Sequence, residues 1–185
     1  MVLQKKTLST TNNAETLVIR LLISIVLIAA IFSLAVFGLQ HVERHNAQAT
    51  LDAQTNSIIA AATSLIEQGS ARNLNDPKAE AGSKRTIEIS LPLQTRYFCL
   101  GGKPTQNLTD TLIINDGAVL CSQIQGTSAD IVLLNDHLKF RLADTSDSDH
   151  LPTNSQSCLL LTQPGKYTLT LELVSDYDNY LILVY

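Results

Sequence analysis

A chain of 185 residues with a net charge of −4 and aromatic residues at only 5 % lacks the basic face that nucleic-acid phosphates require, which excludes nucleic acid as a partner. With no Trp, a broad stacking or sugar-binding platform is excluded as well. Once a hydrophobic segment and its flanks are set aside, the length leaves room for one domain of about 100 residues.

Residues 1–14 ("MVLQKKTLSTTNNA") are polar and aperiodic and read as a short tail, with a helix expected to start near Glu15 under an Asn13 cap. The stretch "LLISIVLIAAIFSLAVFGL", residues 21–39, contains no charged residue. Nineteen residues in a helix cover roughly 28 Å, close to the hydrocarbon thickness of a bilayer. A core helix of a soluble protein is amphipathic, whereas this one is apolar all round, so residues 15–40 read as a transmembrane helix. A cleaved signal peptide is the alternative: a small-x-small site exists at Ala47-Gln48-Ala49, but the apolar block is longer than a signal's core. Lys5, Lys6 and Arg20 precede the block, while only Arg44 follows closely. That bias places the N-terminus inside and the rest of the chain outside the cell membrane, as a single-pass protein.

From His41 to Gln68 there is neither Pro nor Gly, and Ala47, Leu51, Ile58, Ala61, Ala62 and Leu65 fall on one helical face. Residues 41–68 therefore read as an extracellular amphipathic stalk helix stopped by Gly69. Its thin, Ala-rich stripe is expected to pack against a neighbouring helix, from a protein partner or another copy of the chain. Residues 69–84 ("GSARNLNDPKAEAGSK") read as a linker. Beyond it, eight strand-like runs follow in residues 85–185. The alternation of Ile87, Ile89 and Leu91, and of Tyr167, Leu169, Leu171 and Leu173, is the clearest. Asp116-Gly117 between two β-rich runs predicts a type I′ hairpin. A run ending at Tyr185 predicts a terminal strand paired into the sheet. The fold class expected is mainly β: a transmembrane and stalk helix followed by a small antiparallel β-sandwich.

Few residues suggest chemistry. Cys99, Cys121 and Cys158 lie in or beside predicted strands. Outside the cell, three cysteines allow one disulfide, Cys99–Cys121 or Cys121–Cys158, with one thiol left over; equally, all three read as small buried apolar residues. None has the close spacing of a zinc knuckle. His41 and His45 are one helical turn apart, a spacing that suits a metal but equally a solvated interface, and His137 and His150 lie in predicted turns. Asp144, Asp147 and Asp149 share one loop, which reads as a solvated acidic loop rather than a calcium site, having neither the Gly nor the closing Glu of an EF-hand. Asn107-Leu108-Thr109 is an N-glycosylation sequon on a predicted loop. No nucleophile elbow or framed carboxylate pair is present, so neither enzyme activity nor a cofactor is expected.

The apolar helix, the extension "AQATLDAQTNSIIAAATSLI" and the β-rich segment together resemble the archaeal type IV pilin-like proteins, the superfamily of pilins, archaellins and archaellum stator subunits. The resemblance covers nearly the whole chain and is architectural. It implies a structural or assembly role at the cell surface. Lys5-Lys6 is separated from the apolar block by "TLSTTNNAETLVIR", so the resemblance points to an uncleaved, membrane-resident accessory subunit. An anchored extracellular module that binds a small ligand or ion is the alternative.

Overall fold

The computed structural model describes residues 5–76, 78–144, 151–152, 158–177 and 179–185, with side chains described from residue 17 onward. One helix, α1, runs from Lys5 to Gln68. It starts ten residues before the Glu15 expected from the sequence, because the preceding polar stretch has no Pro or Gly and an established helix propagates at little cost. Gly69 closes it, its amide donating to the Leu65 carbonyl at 2.8 Å.

The chain divides into two compact units, one ending at Glu43 and the other running from Arg44 to Tyr185. In the first unit, the residues from Leu17 to Val42 are exposed all round the helix. The hydroxyls of Ser24 and Ser33 donate to the carbonyls of Arg20 and Ala29, both at 2.9 Å, so the two polar side chains inside the apolar block are satisfied by the helix itself.

In the second unit the outer part of α1 belongs to the β core. Ala47, Leu51, Ile58, Ala61, Ala62 and Leu65 are buried, and Leu51, Ile58 and Ala62 have no solvent exposure. They share one cluster with Ile89, Phe98, Leu120, Phe140, Leu171 and Ile182 of the strands. This corrects the division into a stalk at 41–68 and a separate domain at 85–185. The stripe expected to meet a neighbouring helix is filled by the chain's own sheets. Thr55, also buried, continues the stripe between Leu51 and Ile58; its polarity hides it from a hydrophobic pattern.

Among the described residues eleven strands follow: β1 (Arg72–Asn73), β2 (Lys84–Leu91), β3 (Thr95–Leu100), β4 (Gly102–Pro104), β5 (Thr111–Ile113), β6 (Val119–Ile124), β7 (Asp130–Leu133), β8 (Phe140–Leu142), β9 (Leu159–Leu161), β10 (Gly165–Asp176) and β11 (Asn179–Val184). The first sheet has the order β1-β10-β11-β8, with β2 also on β10. β2 covers residues 165–172 of β10 and β1 covers 174–175, so the expected linker contributes a short strand. The second sheet is β7-β6-β3-β9, and β4-β5 form a separate hairpin. Helix and strand contents are about equal, and β1–β10 and β8–β11 are parallel pairs. The expectation of a mainly β fold with an antiparallel sandwich therefore holds in part: the helix weighs about as much as the strands, and the first sheet is mixed rather than antiparallel throughout. Local alternation identifies a strand, but its direction relative to a distant neighbour is a property of the connection.

Asp116-Gly117 does not join a hairpin. Asn115, Asp116 and Gly117 all have positive φ (47°, 51° and 82°), as a left-handed turn demands. They form two overlapping tight turns, the Gly117 and Ala118 amides donating to the Ile114 and Asn115 carbonyls, after which β6 pairs with β3 and β7 while β5 pairs with β4. Both edges of β6 are thus taken. The last strand is integral, as expected: β11 lies between β10 and β8, and Tyr185 exchanges backbone hydrogen bonds with Thr170.

Candidate functional site

The apolar helix is the largest unpartnered surface among the described residues. It is long and apolar enough to cross a membrane, and none of its most apolar window is buried within the chain. Leu21, Ile25, Ile28, Phe32, Val36 and Phe37 all keep more than half their surface open. In water, such an area would be strongly unfavourable at about 25 cal/mol per Å². By length and composition, the element fits a membrane-spanning segment.

The three cysteines form a second small core. Along β3, Phe98 and Leu100 face the main core while Tyr97 and Cys99 face the other way. There they meet Val119, Cys121 and Cys158, with Leu108, Ile114 and Leu160 packed around them. Cys99 is opposite Cys121 in the β3–β6 register, yet the sulfur nearest to it is that of Cys158, at 3.0 Å. Either thiol can donate in this pair; the shared hydrogen bond, then burial, pushes Cys99 up, and the same hydrogen bond draws Cys158 down. Burial, reinforced by the Cys158 sulfur, holds the Cys121 thiol up at about 11. The Cys158 amide donates to the Thr111 hydroxyl at 3.0 Å, tying the start of β9 to the β4–β5 hairpin.

On the opposite side of the first sheet, Glu172 is a buried carboxylate, 1 % exposed. Arg72 Nε donates to its Oε1 at 2.9 Å, Lys84 Nζ lies 3.5 Å from Oε2, and the Tyr185 hydroxyl donates to Oε2 at 3.3 Å. Lys84 also stands over the Tyr185 ring, 5.6 Å from its centre. The Tyr185 contact raises the Lys84 pKa first, against a desolvation that lowers it. The sequence does not reveal this cluster. Glu172 takes its turn among the outward residues of "YTLTLELV", and Arg72 is 100 positions away. With two cations and a hydroxyl on one carboxylate, the group is a satisfied network rather than a free acid or base.

A second polar cluster is exposed. Asp116 accepts from Lys139 Nζ and Arg141 Nη2, both at 2.6 Å. The Lys139 hydrogen bond first, then Arg141, holds the Asp116 carboxyl below the usual carboxylate range, with partial burial opposing them. A carboxyl whose folded pKa is depressed adds stability above its unfolded pKa, near 3.9, and that stability is lost as pH falls through the folded value. The Asp116 side chain is 62 % exposed, so screening keeps the effect small. Asp116→Asn is expected to cost less than about 1 kcal/mol at neutral pH. In urea titrations, the gap between wild type and variant should close as the pH is taken below about 4; a gap unchanged in acid would show that the carboxylate charge is not its source.

Other expected positions are dispersed. Asn107 is exposed in the turn between β4 and β5, so the sequon is accessible. His41, His45 and His137 are exposed. Asp147, Asp149 and His150 lie outside the described residues. Among the described residues, no group of three His, Cys, Asp or Glu is arranged to hold a metal ion. An open cleft of about 550 Å³ is lined by Arg96, Tyr97, Lys103 and Gln123; its two cations give it a basic rim.

Neither the curated proteins nor the solved structures contain a match to this chain. A family model does match residues 18–185, a span that includes both the apolar helix and the β unit. The chain therefore belongs to the family described as Domain of unknown function (DUF7311).

Proposed function

We propose that this is a single-pass membrane protein, N-terminus inside, whose C-terminal unit works at the cell surface as a structural or interaction subunit of the pilin-like type. The observation that carries this reading is the helix with two fates. Its residues from Ala47 to Leu65 are core to the β unit, while those from Leu17 to Val42 are covered by nothing in the chain. A helix that anchors a compact domain through one half and offers the other half to lipid suits a membrane-held assembly component. Association with copies or partners would use the membrane segment or the β surface, since the stripe of Ala47, Leu51, Ile58, Ala61 and Leu65 is occupied. The basic cleft at Arg96 and Lys103 favours a second reading, an anchored module that binds an anionic ligand.

Topology is the test. Protease added to intact cells should digest the C-terminal unit and spare the N-terminal segment. Protection until the cells are lysed would reverse the orientation. Crosslinking in intact membranes should then recover complexes through the helix; a chain that remains monomeric at every crosslinker concentration favours the binding module.

A further inference from the structure

We propose that Cys99 and Cys158 are the two halves of an intrachain disulfide, with Cys121 remaining a thiol. Three independent features converge on that pair. The sulfurs are 3.0 Å apart, about 1 Å from the roughly 2.05 Å of an S–S bond, so closure requires a movement of about 1 Å. Gly102 leaves room for the Cys158 sulfur and the Leu112 carbonyl together: a Cβ added there would lie 2.7 Å from the sulfur and closer still to the carbonyl oxygen, so any larger residue would crowd both. The pairing is also topologically useful. Cys99 is in β3 and Cys158 immediately precedes β9, which lies antiparallel on β3 with Leu100 opposite Leu159. A bond between them clamps the start of β9 to the strand it pairs with, closing a loop with a sequence separation of 59.

Cys121 is placed differently. Although it is in direct register with Cys99, the geometry commits Cys99 to the other side, and burial keeps Cys121 a protonated thiol. The odd cysteine is thereby an interior apolar residue, while the other two are a cross-link.

The chemistry is thiol–disulfide exchange with an external disulfide, of a protein oxidant or of glutathione. The Cys158 thiolate attacks one sulfur of that disulfide, forming a mixed disulfide and expelling a thiolate. Cys99, after losing its proton to solvent, attacks the Cys158 sulfur and expels the second thiolate. Two thiols are oxidised and one external disulfide is reduced to two thiols. Both cysteines are buried in the folded unit, so the exchange belongs to folding, before the unit is packed around them. In the cell the bond rests on the outward placement proposed above, since a reducing compartment would leave all three thiols free.

The full-length chain, purified under reducing conditions in detergent, is unfolded and returned to native buffer across a series of oxidised and reduced glutathione mixtures. It is then alkylated under denaturing conditions without reductant and mapped by mass spectrometry. The expected result is a linked Cys99–Cys158 peptide pair with Cys121 alkylated, the same link in Cys121→Ser, and a melting temperature roughly 10 °C higher for the oxidised than for the reduced protein. Three alkylated cysteines throughout the series, or a link that includes Cys121, would overturn the proposal. The same map on chain extracted directly from membranes separates the two readings. A link in glutathione with three free thiols in cells sinks the outward placement and leaves the pair standing; free thiols in both sink the pair.

Discussion

Ile58→Lys unfolds the C-terminal unit. Ile58 has no solvent exposure and lies in the cluster that unites the helix with both sheets. The lysine would bring a charge into this apolar interior with no partner, and desolvating it costs several kcal/mol. The methylenes of Ile58 are lost as packing at the same time; truncation to Ala alone is expected to cost about 2–5 kcal/mol. Against a total stability of roughly 5–15 kcal/mol, the charged variant should leave little folded unit at 25 °C. Loss of the β signal in circular dichroism, and rapid proteolysis of the region after Arg44, are the measurements. Membrane insertion should persist, because residues 17–42 are untouched. A folded Ile58→Lys unit with altered assembly would instead restore the picture of a stripe reserved for a partner. For the same reason, a fragment of residues 85–185 should fail to fold, having lost Leu51, Ile58 and Leu65 from its core, whereas one starting at Arg44 retains them.

Arg72→Met is expected to destabilise the unit by about 3 kcal/mol, an effect carried by Glu172 rather than by the arginine. The wild-type carboxylate is 1 % exposed and receives Arg72 Nε at 2.9 Å. Without that donor, a buried anion remains with the longer Lys84 contact and the Tyr185 hydroxyl. Leaving one member of a buried ion pair uncompensated is what costs most, so Arg72→Met combined with Glu172→Leu should recover much of the loss. Chemical denaturation of the single and double variants measures the coupling directly. If the double variant is as unstable as the two single effects added together, the pair contributes independently and the network reading is wrong.

Much of the fold was legible in the residues themselves, and what was hidden follows a pattern. The spacing of Ala47, Leu51, Ile58, Ala61 and Leu65 announced a buried face, because a helix repeats every 3.6 residues whatever lies against it. It could not say that the opposing surface was the chain's own sheet, since periodicity describes one side of an interface. Leu169, Leu171 and Leu173 were readable as an inward row by the same logic, and all three are buried. The Asp116-Gly117 signal was right about backbone conformation and wrong about strand pairing. Turn residues set φ locally, while the strands on either side choose neighbours by packing. Parallel pairs, the Glu172 network and the approach of Cys158 to Cys99 were illegible for one reason: each joins segments far apart in sequence.

The separation of 100 positions between Arg72 and Glu172 has a meaning in time as well as in space. The outer half of α1 leaves the ribosome long before β10, whose Leu171 and Leu173 complete its core. At about 5–20 residues per second, that interval is on the order of 5–20 s. During it, the face carrying Leu51, Ile58 and Leu65 has at most the partial cover of Ile89, Phe98 and Leu120 from the earlier strands. Synthesis thus passes through a stage in which the buried face of residues 47–65 precedes its full cover. The protein's exposure to misassociation is concentrated in that stage, before the last strands arrive.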